Sequence, residues 1–196
     1  MDRVHGTKII RRSENIKSLS NYLLYKDQLV DDFKNLCGYC GKNRIYFYDK
    51  FQIDHFKPQK KYAQFKNDYY NLVLACPICN RNKSDDWPTD NPNIYHDNNV
   101  GYVDPASDEF DEVFYRDKNG NICSNTNYGN YMIKKLKFDI RPIRLLWKLE
   151  QLYAIKEKIN KKISLGNAPK EVYEDFVEIS NVIDELSKFL RYKEGE

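Results

Sequence analysis

The sequence predicts an α+β protein in which a small strand-and-helix core is stapled by cysteines and flanked by helices. Three observations carry this reading. Two CxxC pairs, Cys37-Gly38-Tyr39-Cys40 and Cys76-Pro77-Ile78-Cys79, bracket a short stretch of alternating aromatic and β-branched residues. Before the bracket, Ile16, Leu19, Tyr22, Leu23, Val30 and Phe33 repeat with a helical period over residues 13–35. After it, two long helical periods close the chain.

The elements follow in order. Ser13 is placed to cap a helix over 13–35. RIYFYDKFQIDH reads as a hairpin turned at Asp49-Lys50 and ending at Asp54-His55. Residues 56–70 form a basic, Tyr-containing loop or short helix, and CPICNRNKSD opens a short helix at the second cysteine pair. Within the turn-rich stretch 84–130, YVDP reads as a strand and EVFYRDKNGNI as a hairpin turned at Lys118-Asn119-Gly120. One long helix starts near Pro142 and ends before Gly166, with Leu145, Leu146, Leu149, Leu152, Tyr153, Ile159 and Ile163 apolar. A second starts near Pro169 and carries Val172, Tyr173, Phe176, Ile179, Ile183, Leu186 and Leu190. The short link between them predicts an antiparallel helical hairpin. The organisation is therefore a helical segment (1–36), a cysteine-stapled core (37–83), an acidic turn-rich segment (84–130) and a helical hairpin (131–196).

Paired CxxC units offer four thiolates at the spacing a tetrahedral Zn²⁺ takes, so Cys37, Cys40, Cys76 and Cys79 are expected to hold a structural zinc. Cys123 is the odd fifth, expected to be an ordinary free cysteine. The chain has 196 residues, a net charge of +3 and a mean hydropathy of −0.79. It contains no apolar run long enough for a membrane span, and MDRVHGTKIIRR lacks the apolar stretch of a secretory signal. A cytoplasmic location is the expectation, and there paired cysteines favour metal over disulfide.

Charge is segregated along the chain. Residues 34–83 carry ten Lys or Arg against three Asp, whereas 84–117 carry ten Asp or Glu against Arg116 alone. The basic block coincides with the cysteine bracket, as expected of a site for a polyanion. At its centre Asp54-His55 sets a metal-ligating carboxylate beside an imidazole able to act as a general base. Neither His5 nor His96 is expected to take part; His96 reads as a loop residue.

Cys37-x2-Cys40, Ile53-Asp54-His55-x2-Pro58, Asn71-Leu72 and Cys76-x2-Cys79-Asn80-x2-Lys83 together resemble the HNH endonucleases that carry a structural zinc. The resemblance spans residues 37–83 and implies a ββα-metal core. It implies Asp54 as a metal ligand, His55 as the base that deprotonates the attacking water, and Asn71 as the residue holding the loop and the orientation of His55. Asn80 stands where many members have a final His, which makes this an HNN variant. An amide oxygen beside Asp54 favours catalytic Mg²⁺ or Mn²⁺. Lys83, Arg81 and Lys57 are the candidates for phosphate contact. The implied substrate is DNA, with RNA as the alternative polymer.

Beyond the motif, YVDP, FYRDKNGNI and the Arg-containing helices are similar to HNH proteins of bacterial antiphage systems of the Septu type, whose nuclease works with an ATPase subunit. A homo-oligomer is one route to double-strand breaks and sequential nicking another. Two other readings stand beside the nuclease: a non-catalytic zinc-knuckle module that binds nucleic acid, and an interaction subunit inert without its partner.

Overall fold

The strand that ends at Asp54-His55 finds its partner across a long loop rather than in the residues before it. In the computed structural model, which describes residues 2–47 and 50–195, β1 (Gln52–His55) pairs antiparallel with β2 (Leu72–Ala75). Ile53 stands opposite Leu74, and His55 opposite Leu72. All four β2 side chains are buried, as an apolar Leu-Val-Leu-Ala run requires. The expected local hairpin is thus corrected: Arg44–Phe47 forms a helical turn, α2, and Asp49 of the expected turn lies outside the described residues.

The helix expected over 13–35 is shorter than its apolar period. A 3₁₀ turn (Tyr22–Tyr25) runs into α1 (Lys26–Asp32), and Asn21 caps that turn by accepting from the Leu23 amide at 3.0 Å. Ser13 does not cap a helix. Its amide and hydroxyl donate instead to the Asp32 carboxylate at 2.6 and 2.7 Å. Gln28 and the Tyr69 hydroxyl donate to the same carboxylate, and Asn15 has a positive φ that no helix permits. This buried hub uses residues 13–20 as a strap.

At the second cysteine pair α3 (Pro77–Lys83) forms as expected, with Pro77 in its first turn and Cys76 Sγ accepting from the Cys79 amide. It packs beside β1 to complete a ββα unit. The acidic stretch is not only turns. It holds α4 (Asp108–Val113), then β3 (Phe114–Arg116) and β4 (Ile122–Ser124), joined by the expected turn with Gly120 at φ 87°. Tyr102 and Val103 of the expected YVDP strand are buried in an irregular segment instead. α5 (Asn127–Lys135), capped by Thr126, was not foreseen.

Buried cations tie these parts together. Arg12 pairs with both oxygens of Asp104 at 2.8 and 3.0 Å and donates to the Leu72 carbonyl. Arg116 donates to the carbonyls of Val4, Gly120 and Cys40.

His5 is buried and donates from Nε2 to the Gly38 carbonyl at 2.7 Å. Burial lowers its pKa from 6.5 to about 4. Between those values the unfolded chain binds a proton that the native one refuses, so stability falls as the pH drops through that window. The full effect is on the order of 3 kcal/mol. Thermal unfolding followed from pH 7 to pH 4 should show this slope, and a His5→Gln variant should flatten it. An unchanged slope in the variant would assign the acid sensitivity to other groups.

Chain contacts divide the protein into two units, Met1–Arg141 and Pro142–Glu196. The second consists of α6 (Ile143–Ser164) and α7 (Lys170–Gly195), packed on each other through a turn with Gly166 and Asn167 at positive φ. Ile183 and Leu190 are buried, and the Lys156 ammonium lies over the Phe176 ring. Among the described residues, no helix is long and apolar enough to cross a membrane.

Candidate active site

Cys37, Cys40, Cys76 and Cys79 converge as the spacing predicts. All four are buried and their sulfur atoms lie within 4.8 Å of one another. A tetrahedral ion with metal–sulfur bonds of about 2.3 Å sets the sulfurs about 3.8 Å apart. Cys40 and Cys76 stand at 3.9 Å, so the cluster is compatible with structural zinc. The first knuckle lies on β2: the Gly38 amide donates to the Leu74 carbonyl at 2.8 Å, and a Cβ at Gly38 would come within 2.7 Å of the Phe33 ring. Four thiolates around one Zn²⁺ leave a net negative charge, and Arg141 meets it. Its Nη1 donates to Cys79 Sγ at 3.2 Å and its Nη2 lies 3.9 Å from Cys76 Sγ. Against the downward pull of burial, the Cys79, Cys40 and Cys76 thiolates hold the guanidinium above its ordinary pKa. Cys123 stands apart from the cluster.

Beside this cluster a polar cleft of about 260 Å³ is lined by Tyr22, Asp54, His55, Gln59, Asn80 and Asp85, among others. The alternation of β1 explains who faces whom. Gln52 and Asp54 point towards α3, where Asn80 and Lys83 occupy one face three residues apart. The Asn80 amide nitrogen donates to Gln52 Oε1 at 2.7 Å, which leaves the Asn80 carbonyl oxygen for the cleft. Asp54 Oδ2 accepts from the Tyr39 hydroxyl at 2.5 Å and lies 3.2 Å from Lys83 Nζ. Burial pushes the Asp54 carboxyl up from its ordinary range, and Lys83, Tyr39 and His55 pull it back.

His55 faces the other way and meets the edge of the Tyr22 ring. Its Nε2 lies 2.9 Å from the Lys66 carbonyl. A carbonyl only accepts, so Nε2 carries the proton and Nδ1 is left as the basic nitrogen of the neutral ring. Burial lowers the His55 pKa, against the Lys66 carbonyl and Asp54, which raise it. Asn71 is buried and clamps the loop after His55. It accepts from the Lys57 amide at 2.8 Å and donates to the carbonyls of Lys57 and Phe65 at 3.1 and 3.2 Å. The loop in turn presents the Lys66 carbonyl, so Asn71 acts on His55 through the backbone rather than by direct contact.

The three candidate phosphate contacts separate. Lys83 requires a correction: it is fully buried, and its ammonium is engaged by Asp54 and by the His55 carbonyl at 2.9 Å. An ammonium sealed in this way does not reach a phosphate in solvent. Lys57 lies over the rings of Phe65 and Tyr95, and Arg81 is exposed on α3. The acidic segment reaches the rim at Asp85, which pairs with Lys60, and Lys61 pairs with Asp90. Such exposed pairs are screened by solvent and exchange readily with other anions. Away from the cleft, His96 pairs with Glu109 and stacks on Tyr128.

Four contributors escaped the sequence reading: Tyr39, Gln52, Tyr22 and Arg141. Tyr39 sits inside the first CxxC and Gln52 two residues before Asp54, so both carried a local signal. Tyr22 and Arg141 come from distant parts of the chain.

Residues 37–86 match the family model for HNH endonuclease. That span holds the four-cysteine cluster together with Asp54 and His55, and its likeness is to a nuclease segment, for which nucleic acid is the class of substrate. No curated protein and no solved structure matches the chain.

Proposed function

We propose that the chain is a metal-dependent HNH endonuclease of the HNN type that hydrolyses phosphodiester bonds in DNA. The observation that carries the reading is the convergence on one cleft of His55, with Nδ1 left basic, and of the hard oxygens of Asp54 and Asn80. His55 takes a proton from the attacking water at Nδ1 and keeps its orientation through Nε2. Asp54 and Asn80 are the residues that would hold Mg²⁺ or Mn²⁺, an ion that stabilises charge on the phosphate and on the leaving oxygen. Arg81, exposed on α3, and Lys57 bind the phosphate backbone.

Purified protein incubated with plasmid should cleave it with Mg²⁺ or Mn²⁺ and not without them. The rate should fall on acidification, because only the neutral imidazole accepts a proton. The lowered pKa of His55 places that fall below the ordinary histidine value of 6.5. Binding without cleavage of DNA or RNA, in either metal, would favour the non-catalytic zinc-knuckle reading.

A second reading draws on the hairpin unit, where Tyr173, Val177, Val182 and Phe189 are exposed apolar residues of α7. They suit a protein partner, which in a Septu-type antiphage system is an ATPase subunit. Cleavage that appears only when such a subunit is added would establish this dependence.

A further inference from the structure

Both cysteine knuckles send one side chain to the same oxygen of Asp54. Tyr39 belongs to the first knuckle, between Cys37 and Cys40, and Lys83 ends the helix that the second knuckle opens. Both side chains are fully buried, and both engage Oδ2, at 2.5 Å and 3.2 Å. Lys83 also fixes the backbone beside the carboxylate through the His55 carbonyl.

We infer that Tyr39 and Lys83 are positioning residues that hold Asp54 Oδ2 inside the protein and present Oδ1 to the cleft, so that the zinc knuckles set the geometry of the divalent-ion site. The inference rests on the reading of Asp54 as a ligand of that ion. The chain of contacts is short. The Cys37 amide donates to the Lys42 carbonyl and the Gly41 amide to the Cys37 carbonyl, each at 2.9 Å, so the first knuckle is a closed turn. Gly41 holds a φ of 71° there, with no room for a Cβ against the Val4 carbonyl. The turn is bound to β2 through Gly38, and β2 is in register with the strand that carries Asp54. The position of the Tyr39 hydroxyl is therefore fixed from both ends, and it donates where a carboxylate free to rotate would offer either oxygen. The Lys83 ammonium, beneath the Tyr102 ring, closes the same side. One oxygen fixed inside makes Asp54 a one-oxygen ligand, which suits an ion with octahedral demands such as Mg²⁺ or Mn²⁺.

The test is Mn²⁺ affinity, measured by electron paramagnetic resonance on full-length protein without nucleic acid. Zinc content and thermal unfolding are followed in parallel. Wild type is compared with Asp54→Asn, Tyr39→Phe and Lys83→Met. Partners one step behind a metal ligand typically contribute about 10–100-fold in metal affinity. Tyr39→Phe should therefore bind Mn²⁺ about 10-fold or more weakly, with one zinc per chain and unchanged unfolding. Lys83→Met should weaken binding at least as much, and if that variant does not fold, Tyr39→Phe decides alone. If Asp54→Asn weakens Mn²⁺ binding but Tyr39→Phe binds as wild type, the positioning role is overturned and the ligand reading stands. If Asp54→Asn also binds as wild type, the ligand reading falls and the inference with it. Loss of zinc from Tyr39→Phe would make Tyr39 a part of the knuckle's own structure and would equally overturn the inference.

Discussion

His55→Ala is expected to lose nearly all cleavage while keeping its fold, its zinc and its affinity for DNA. A positioned general base contributes about 10²–10⁴-fold in rate, and nothing else in the cleft replaces Nδ1. The neighbouring titratable groups are ill suited: Asp54 is engaged by Tyr39 and Lys83, and Asp85 pairs with Lys60 at the rim. His55 is buried, with its Nε2 on the Lys66 carbonyl and its ring against Tyr22, so thermal unfolding of the variant is read beside its activity. The decisive pair of measurements is single-turnover cleavage and DNA binding on the same preparation. Asp54→Ala and Asn80→Ala should lose activity by another route, through a weakened divalent ion, so raising Mn²⁺ should partly restore them and should not restore His55→Ala. A folded His55→Ala protein that cleaves at the wild-type rate would remove the proposed mechanism altogether.

The parts of this site that were legible in the sequence are those whose geometry is local. A CxxC knuckle needs only its own four residues of backbone to set two sulfurs, and Asp54 and His55 are neighbours on one strand, whose alternation sends them to opposite faces. The hairpin of α6 and α7 was equally readable, because Pro142, Gly166 and Pro169 mark its ends. What escaped depends on long-range contacts. The apolar period over 13–35 looks helical throughout, but Ser13 bonds Asp32 and Asn15 adopts a left-handed conformation, which confines regular helix to α1. The pairing of β1 with β2 is not legible, because strand pairing carries no sequence signal across a loop of this length. Lys83 sits at the spacing of a phosphate contact, and only its complete burial beside Asp54 shows that it faces inward. Arg141 meets Cys79 from 62 residues away, a separation at which no local pattern could reveal it.

Removal of zinc is expected to act on structure before chemistry. Structural zinc in small sites contributes about 10–16 kcal/mol at neutral pH, as much as or more than the whole net stability of an ordinary domain, about 5–15 kcal/mol. Here the cluster joins the turn before β1 to the helix after β2, and a zinc ion would offset part of the charge of four sulfurs that lie buried within 4.8 Å of one another. Without the ion, burial pushes the Cys37 and Cys79 thiols up, whereas hydrogen bonds with Cys37, Cys76 and Cys79 hold the Cys40 thiol down. Cys76→Ser should therefore be purified with less than one zinc per chain and should lose the cooperative unfolding of the Met1–Arg141 unit. Prolonged chelation of the wild type should do the same. Added Mg²⁺ or Mn²⁺ should not reverse either loss, whereas Zn²⁺ should restore the chelated wild type. That selectivity separates the two metal sites, because hard cations do not replace zinc on four thiolates. Elemental analysis and thermal unfolding read the outcome directly. A zinc-free wild-type chain that unfolds at the same temperature as the zinc-loaded one would show that the four cysteines do not hold this fold together.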